Sequence, residues 1–181
     1  MRVPRTFVFV DLSGFTNYTA AFGDDAAGRL LSAFRSIVRE VASDRGVRIA
    51  KWLGDGCMVI AVEQHEAIAF TLDLADRSAE VIAPLTLRAG IASGYALLFE
   101  GDDYIGSAVN MAARLCDRAS QEVLIPTMGL ERLPEGVEAN PHEAVELAGF
   151  PGPIEVFALT GVPKPPDRND TGELWTRSPF I

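Results

Sequence analysis

Residues 7–16 read Phe-Val-Phe-Val-Asp-Leu-Ser-Gly-Phe-Thr. Four consecutive β-branched or aromatic residues predict a strand buried on both faces. The run ends on a carboxylate, Asp11, and passes Gly14 before a helical pattern begins. Such a stretch admits two readings. Asp11 either caps the following turn, or it is presented at a strand end beside a glycine as part of a metal-phosphate site.

Outward from this strand, Asn17 to Phe22 reads as a short helix, with Gly23-Asp24-Asp25 as its break. Between Asp25 and Ser43, Leu30, Leu31, Phe34, Ile37, Val38 and Val41 recur at three- and four-residue steps. That is the pattern of an amphipathic helix. Val47 to Val62 reads as a hairpin around Gly54-Asp55-Gly56. Glu63 to Ala83 reads as a helix with Ile68, Leu72, Ala75, Ala79 and Ile82 on one face, closed by Pro84. Leu85 to Phe99 is strand-like, and Gly90 and Gly94 predict a bend or bulge in it. Tyr104-Ile105-Gly106 leads to a helix from about Ser107 to Arg118. Glu122 to Ile125 reads as a short strand, and Pro126 to Leu133 as a short helix or turn. A second hairpin is expected between Ala144 and Leu159, around Phe150-Pro151-Gly152-Pro153.

This order predicts an α+β fold with a ferredoxin-like βααββαβ core, extra C-terminal strands and helices mostly on one face of the sheet. One domain is expected over residues 1–162. Residues 163–181, rich in Pro, Asp, Arg and Thr without periodicity, are expected to form a flexible tail.

Composition narrows the function classes. A chain of 181 residues with 48 % hydrophobic and 23 % charged residues suits one soluble globular domain. No apolar run is long enough to span a membrane, and no signal peptide is evident. Cys57 and Cys116 lack metal-ligand spacing, so a reduced cytoplasmic setting is the expectation. A net charge of −9 argues against nucleic-acid binding. An acidic protein acting on a polyphosphate would need divalent cations between them. Walker A, G-x-G-x-x-G, H-E-x-x-H and nucleophile-elbow motifs are absent. His65 and His142 lie in polar segments unsuited to acid-base chemistry.

What remains is a set of polar residues in unusual places. Asp55 sits at the hairpin tip, where Asp-Gly is also an ordinary turn pair. Lys51 lies in the strand entering that hairpin; alternation places it with Ile49 and Leu53, away from Ala50 and Trp52. It serves either as an edge guard or as a ligand contact. Asn110 and Arg114 are four residues apart and share a helix face. Val109, Ala112, Ala113 and Cys116 on that helix are small enough for close packing. Asp103 either caps a turn or joins a site.

Taken together, FVFVDLSGFT, KWLGDG, LRAGIASG and GDDYIGSAVNMAARL, in that order and spacing, resemble the catalytic domain of the class III nucleotidyl cyclases. The resemblance covers roughly residues 5–160, and its texture is that of the compact bacterial, mycobacterial-type adenylyl cyclases. It implies that Asp11 and Asp55, assisted by the Leu12 carbonyl, hold two divalent cations, Mg²⁺ or Mn²⁺. One cation would acidify the ribose 3′-hydroxyl of ATP and the other would hold the triphosphate. Backbone N–H groups of Ser13, Gly14, Phe15 and Thr16 would meet the β and γ phosphates. Lys51 and Asp103 would read adenine, Asn110 would orient the ribose, and Arg114 would stabilise charge on the α-phosphate. Arg88 matches a position that meets the terminal phosphates. The family's lysine in the last hairpin is missing from Leu147-Ala148-Gly149, so its contact is lost or supplied by Arg88. The resemblance also implies a head-to-tail homodimer with composite sites. The product would be cyclic AMP and pyrophosphate. A guanylate cyclase and a catalytically silent nucleotide sensor are the alternatives. With the chain starting almost at its first strand, no fused regulatory domain is expected.

Overall fold

Residues 1–100 and 103–166 are described by a computed structural model. The opening stretch forms β1 (Arg2–Ser13), longer at its N-terminal end than the apolar run alone indicates. Phe7 and Val8 are fully buried on opposite faces of this strand. β1 lies between β3 (Gly56–Ala61) and β4 (Thr86–Phe99), antiparallel to both. β2 (Arg48–Leu53) pairs with β3. The order β2-β3-β1-β4 is the antiparallel ferredoxin-like arrangement, extended by β6 (Val123–Pro126), β10 (Val156–Gly161) and β7 (Val137–Pro141). β5 (Asp103–Ile105) pairs with the far end of β4, and β4 runs parallel to β6.

Three helices precede β4. α1 (Phe15–Phe22) and α2 (Asp24–Arg45) meet at Gly23, and α3 (Gln64–Ile82) opens with a reciprocal capping box between Glu63 and Glu66. α2 and α3 bury Phe34, Val38, Ile68 and Phe70 against Val8, Val10, Val59 and Ile91. On α3, Ser78 is buried where the periodicity points to Ala79, which is exposed. α4 (Ser107–Arg118) lies on the opposite face, packing Ala108, Val109 and Ala112 on Phe7, Met58, Ile60 and Ala92.

Gly90 explains how close α4 comes. A Cβ there would overlap the backbone of Ala112 and Cys116 and stand 2.7 Å from Leu115 Cβ. β4 keeps an unbroken register with β1 from Thr86 to Leu97. The expected bulge at Gly90 and Gly94 is therefore corrected: these glycines make room for a helix. The bulge lies in β2, between Ile49 and Lys51. Ile49 pairs with Val59 and Lys51 with Met58, on opposite faces. Lys51 is thus opposite Trp52 as expected, but also opposite Ile49, because Ala50 is the extra residue.

The C-terminal half differs more from expectation. The second hairpin is reduced to β8 (Val145–Glu146) and β9 (Pro153–Ile154). β10 joins the main sheet between β6 and β7. β7 has no counterpart in the pattern reading, and residues 127–136 form turns and irregular chain. Arg45 of α2 donates to Asp73 on α3 and to the carbonyls of Pro163 and Lys164. The rest of the expected tail, 167–181, lies outside the described residues. Among the described residues, no helix is long and apolar enough to cross a membrane.

Candidate active site

The C-terminal end of β1, the β2–β3 tip and the start of α1 meet in a cleft of about 270 Å³. Asp11, Leu12, Gly14, Phe15, Thr16, Asn17, Asp55 and Arg88 line it. Asp11 comes from β1 and Asp55 from the turn between β2 and β3. Their approach depends on Gly56, where a Cβ would fall against the carbonyl of Val10 and within 3.2 Å of the Asp11 Cα. Arg35 of α2 secures the tip from behind: its Nη2 donates to the Gly54 carbonyl at 2.7 Å, and its guanidinium sits 4.8 Å from the Trp52 ring centre. Ser13 ends β1 but is not part of the lining.

Burial raises the Asp55 carboxyl above the usual carboxylate range, and the neighbouring Asp11 raises it further. Its own backbone N–H and Arg88 oppose the rise. Arg88 is the cross-strand partner of Asp11 in the β1–β4 register. Its Nη2 and Nε donate to Asp11 Oδ2 at 2.5 and 3.0 Å. Its Nη1 donates to the carbonyls of Asp117 and Ala119 at the end of α4, at 3.3 and 3.4 Å.

An acid whose pKa is raised by folding favours the protonated form in the folded state. The stability it lends is therefore lost as pH rises through the folded value. At neutral pH the Asp55 charge costs stability. Asp55→Asn is expected to raise the melting temperature of the metal-free protein at neutral pH, with a smaller gain at acid pH, where the carboxyl protonates. Scanning calorimetry at both pH values checks this, and a lower melting temperature at neutral pH would contradict it.

A second group lies on the face that carries α4. Lys51 of β2 forms an ion pair with Asp103 of β5, and both are about half exposed. Tyr104 beside them packs edge-on against Phe7, with ring centres 5.6 Å apart. Asn110 and Arg114 are exposed on α4, and Arg114 reaches Asp117 at 3.4 Å. None of these four lines the Asp11–Asp55 cleft. The structure thus gathers the predicted residues into two sets. Arg35 and Asn17 escape the sequence reading; Arg35 carries no local signal, since its contact spans from helix to hairpin tip.

Among the described residues no three His, Cys, Asp or Glu side chains cluster as a closed metal site. Two carboxylates beside a helix start still suit Mg²⁺ or Mn²⁺. Mg²⁺ is typically held by one or two protein carboxylates, with waters and substrate phosphates completing the shell. Cys57 and Cys116 are buried free thiols, both pushed up to about 12 by burial, so neither is a nucleophile.

No family model matches the chain. It is 34 % identical over 137 residues to an adenylate cyclase of Streptomyces coelicolor, covering 75 % of this chain and 36 % of that protein. It is 33 % identical over 159 residues to an uncharacterized protein of Mycobacterium tuberculosis, covering 88 % of this chain and 42 % of that one. The chain therefore spans less than half the length of these curated relatives. Among solved structures, the adenylyl cyclase CyaB from P. aeruginosa superposes with a TM-score of 0.77 at 22 % identity, over 92 % of this chain and 98 % of that one. The guanylyl cyclase Cya2 does so with a TM-score of 0.78 at 22 % identity, over 91 % and 95 %.

Proposed function

Because the chain is a class III adenylyl/guanylyl cyclase domain in sequence likeness and in fold, we propose that it is an adenylate cyclase. It converts ATP to 3′,5′-cyclic AMP and pyrophosphate with two divalent cations, Mg²⁺ or Mn²⁺, in sites shared across a head-to-tail homodimer. The observation that carries the activity is the meeting of Asp11 and Asp55 in one cleft with the start of α1. Cations held by Asp11, Asp55 and the Leu12 carbonyl would supply charge neutralisation for the triphosphate and acidify the ribose hydroxyl.

The chain's own residues do the rest. Backbone N–H groups from Ser13 to Thr16 bind the β and γ phosphates at the start of α1. Lys51 donates to adenine N1 and Asp103 accepts from its N6 amine; guanine presents the reverse donor-acceptor order. Asn110 orients the ribose, and Arg114 stabilises charge on the α-phosphate. Separation of Lys51, Asp103, Asn110 and Arg114 from the cleft supports a site completed by a second copy. So does an apolar surface at the β4–β5 edge, where Tyr95, Leu97, Phe99 and Ile105 are exposed.

The test is incubation of purified protein with equimolar ATP and GTP and Mn²⁺ or Mg²⁺, with products separated by chromatography. Cyclic AMP is expected as the main product and is expected to vanish in Asp55→Ala. Predominant cyclic GMP would make the protein a guanylate cyclase. Nucleotide binding without turnover would make it a sensor.

A further inference from the structure

Arg88 lines the phosphate-facing cleft, yet its guanidinium is spent on a carboxylate assigned above to metal. Two of its nitrogens converge on Asp11 Oδ2, and the third is held by two carbonyls at the end of α4. Among the described residues lining the cleft, it is the one cation beside two acids. Both Arg88 and Asp11 are largely shielded, each with about a quarter of its side chain exposed, so solvent screens this pair only partly. From this geometry we infer that Arg88 is a built-in counter-cation that occupies Asp11 until the triphosphate arrives, making tight divalent-metal loading conditional on nucleotide.

The charge balance explains the exchange. With Arg88 on Asp11, an incoming divalent ion meets a half-neutralised pair of carboxylates and the repulsion of a guanidinium a few ångströms away. A triphosphate brings several negative charges into the same cleft. It then offers Arg88 phosphate oxygens, which an arginine fork can bind in a bidentate pair as it does a carboxylate. The guanidinium turns from Asp11 to the phosphates while its Nη1 stays anchored on α4, and Asp11 is released to the metal. Metal and nucleotide therefore bind with positive coupling that originates in a residue of the protein. The inference rests on the assignment of Asp11 and Asp55 as metal ligands.

The experiment is Mn²⁺ binding in the absence of nucleotide, followed by electron paramagnetic resonance, for wild type, Arg88→Gln and Arg88→Lys. Arg88→Gln is expected to bind Mn²⁺ about tenfold tighter than wild type. Arg88→Lys, which keeps the charge, is expected to stay within a few-fold of wild type. A residue that merely props up the cleft would weaken binding when removed. Equal or weaker binding by Arg88→Gln overturns the inference, as does a Lys variant as tight as the Gln variant. A second measurement needs no variant: the Arg88 Nε–H resonance of the wild-type protein is expected to shift when Mg²⁺ and a non-hydrolysable ATP analogue are added together. An unchanged resonance at saturation overturns the inference too. If wild type and Arg88→Gln both fail to bind Mn²⁺ even with the analogue present, the metal assignment of Asp11 and Asp55 itself falls.

Discussion

An equimolar mixture of Asp11→Ala and Arg114→Ala proteins is expected to recover about a quarter of wild-type cyclase activity, although each variant alone falls by about 10³-fold. The two residues belong to sets that do not share a cleft within one chain. In a two-fold dimer with composite sites, random exchange makes about half the dimers mixed. Each mixed dimer carries both lesions in one site and neither in the other, which gives the quarter. If each chain contained a complete site, every site in the mixture would carry a lesion and nothing would return. Steady-state assay of the mixture across protein concentrations, at and above those that favour dimers, distinguishes the two.

Gly90→Ala is expected to damage both the fold and the chemistry. The added methyl group would overlap backbone atoms of α4, which cannot turn aside as a flexible side chain would. Overpacking against backbone costs about 3 kcal/mol, a fall of roughly 6–12 °C in melting temperature for a domain of this size. The relief available is for α4 to lift off β4. Asn110 and Arg114 ride on that helix, and a displacement of about 1 Å in positioning groups lowers turnover about 10²-fold. Thermal unfolding and kcat, measured on the same preparation, test both effects. Gly94→Ala, where the added Cβ meets only Ala108 Cβ at 3.0 Å, is the milder control.

The sequence showed some of this plainly. The periodicity from Asp25 to Ser43 and the Gly54-Asp55-Gly56 turn are local signals, and α2 and the β2–β3 hairpin follow them. The positions of Asp11 at a strand end and Asp55 at a turn tip were legible from immediate neighbours, while a joint role for them came only from the resemblance. Other features depend on contacts far along the chain. A glycine in a strand signals either a bulge or a close neighbour, and only the position of α4 decides between them for Gly90. Strict alternation misplaced Lys51 relative to Ile49, because the bulge at Ala50 leaves no mark in a run of ordinary strand residues. β7, Val-Glu-Ala-Asn-Pro, carries a single large apolar residue and ends on proline, which is little signal for a strand; its strand character comes from pairing with β10. Arg35 looks like one more charge on α2, and its hold on Gly54 exists only once the hairpin folds back against the helix.

The grip of Arg88 on the end of α4 bears on how two sites in one dimer would communicate. The same guanidinium touches the Asp11 carboxylate and the last carbonyls of the helix whose Asn110 and Arg114, in the proposed dimer, would serve the other site. Filling the first site would turn the guanidinium on which that helix end is anchored, before the second site has met its own substrate. Under the proposed arrangement the dimer is a single cooperative unit. Its response to ATP would be set by the stiffness of one twelve-residue helix, with no regulatory domain required.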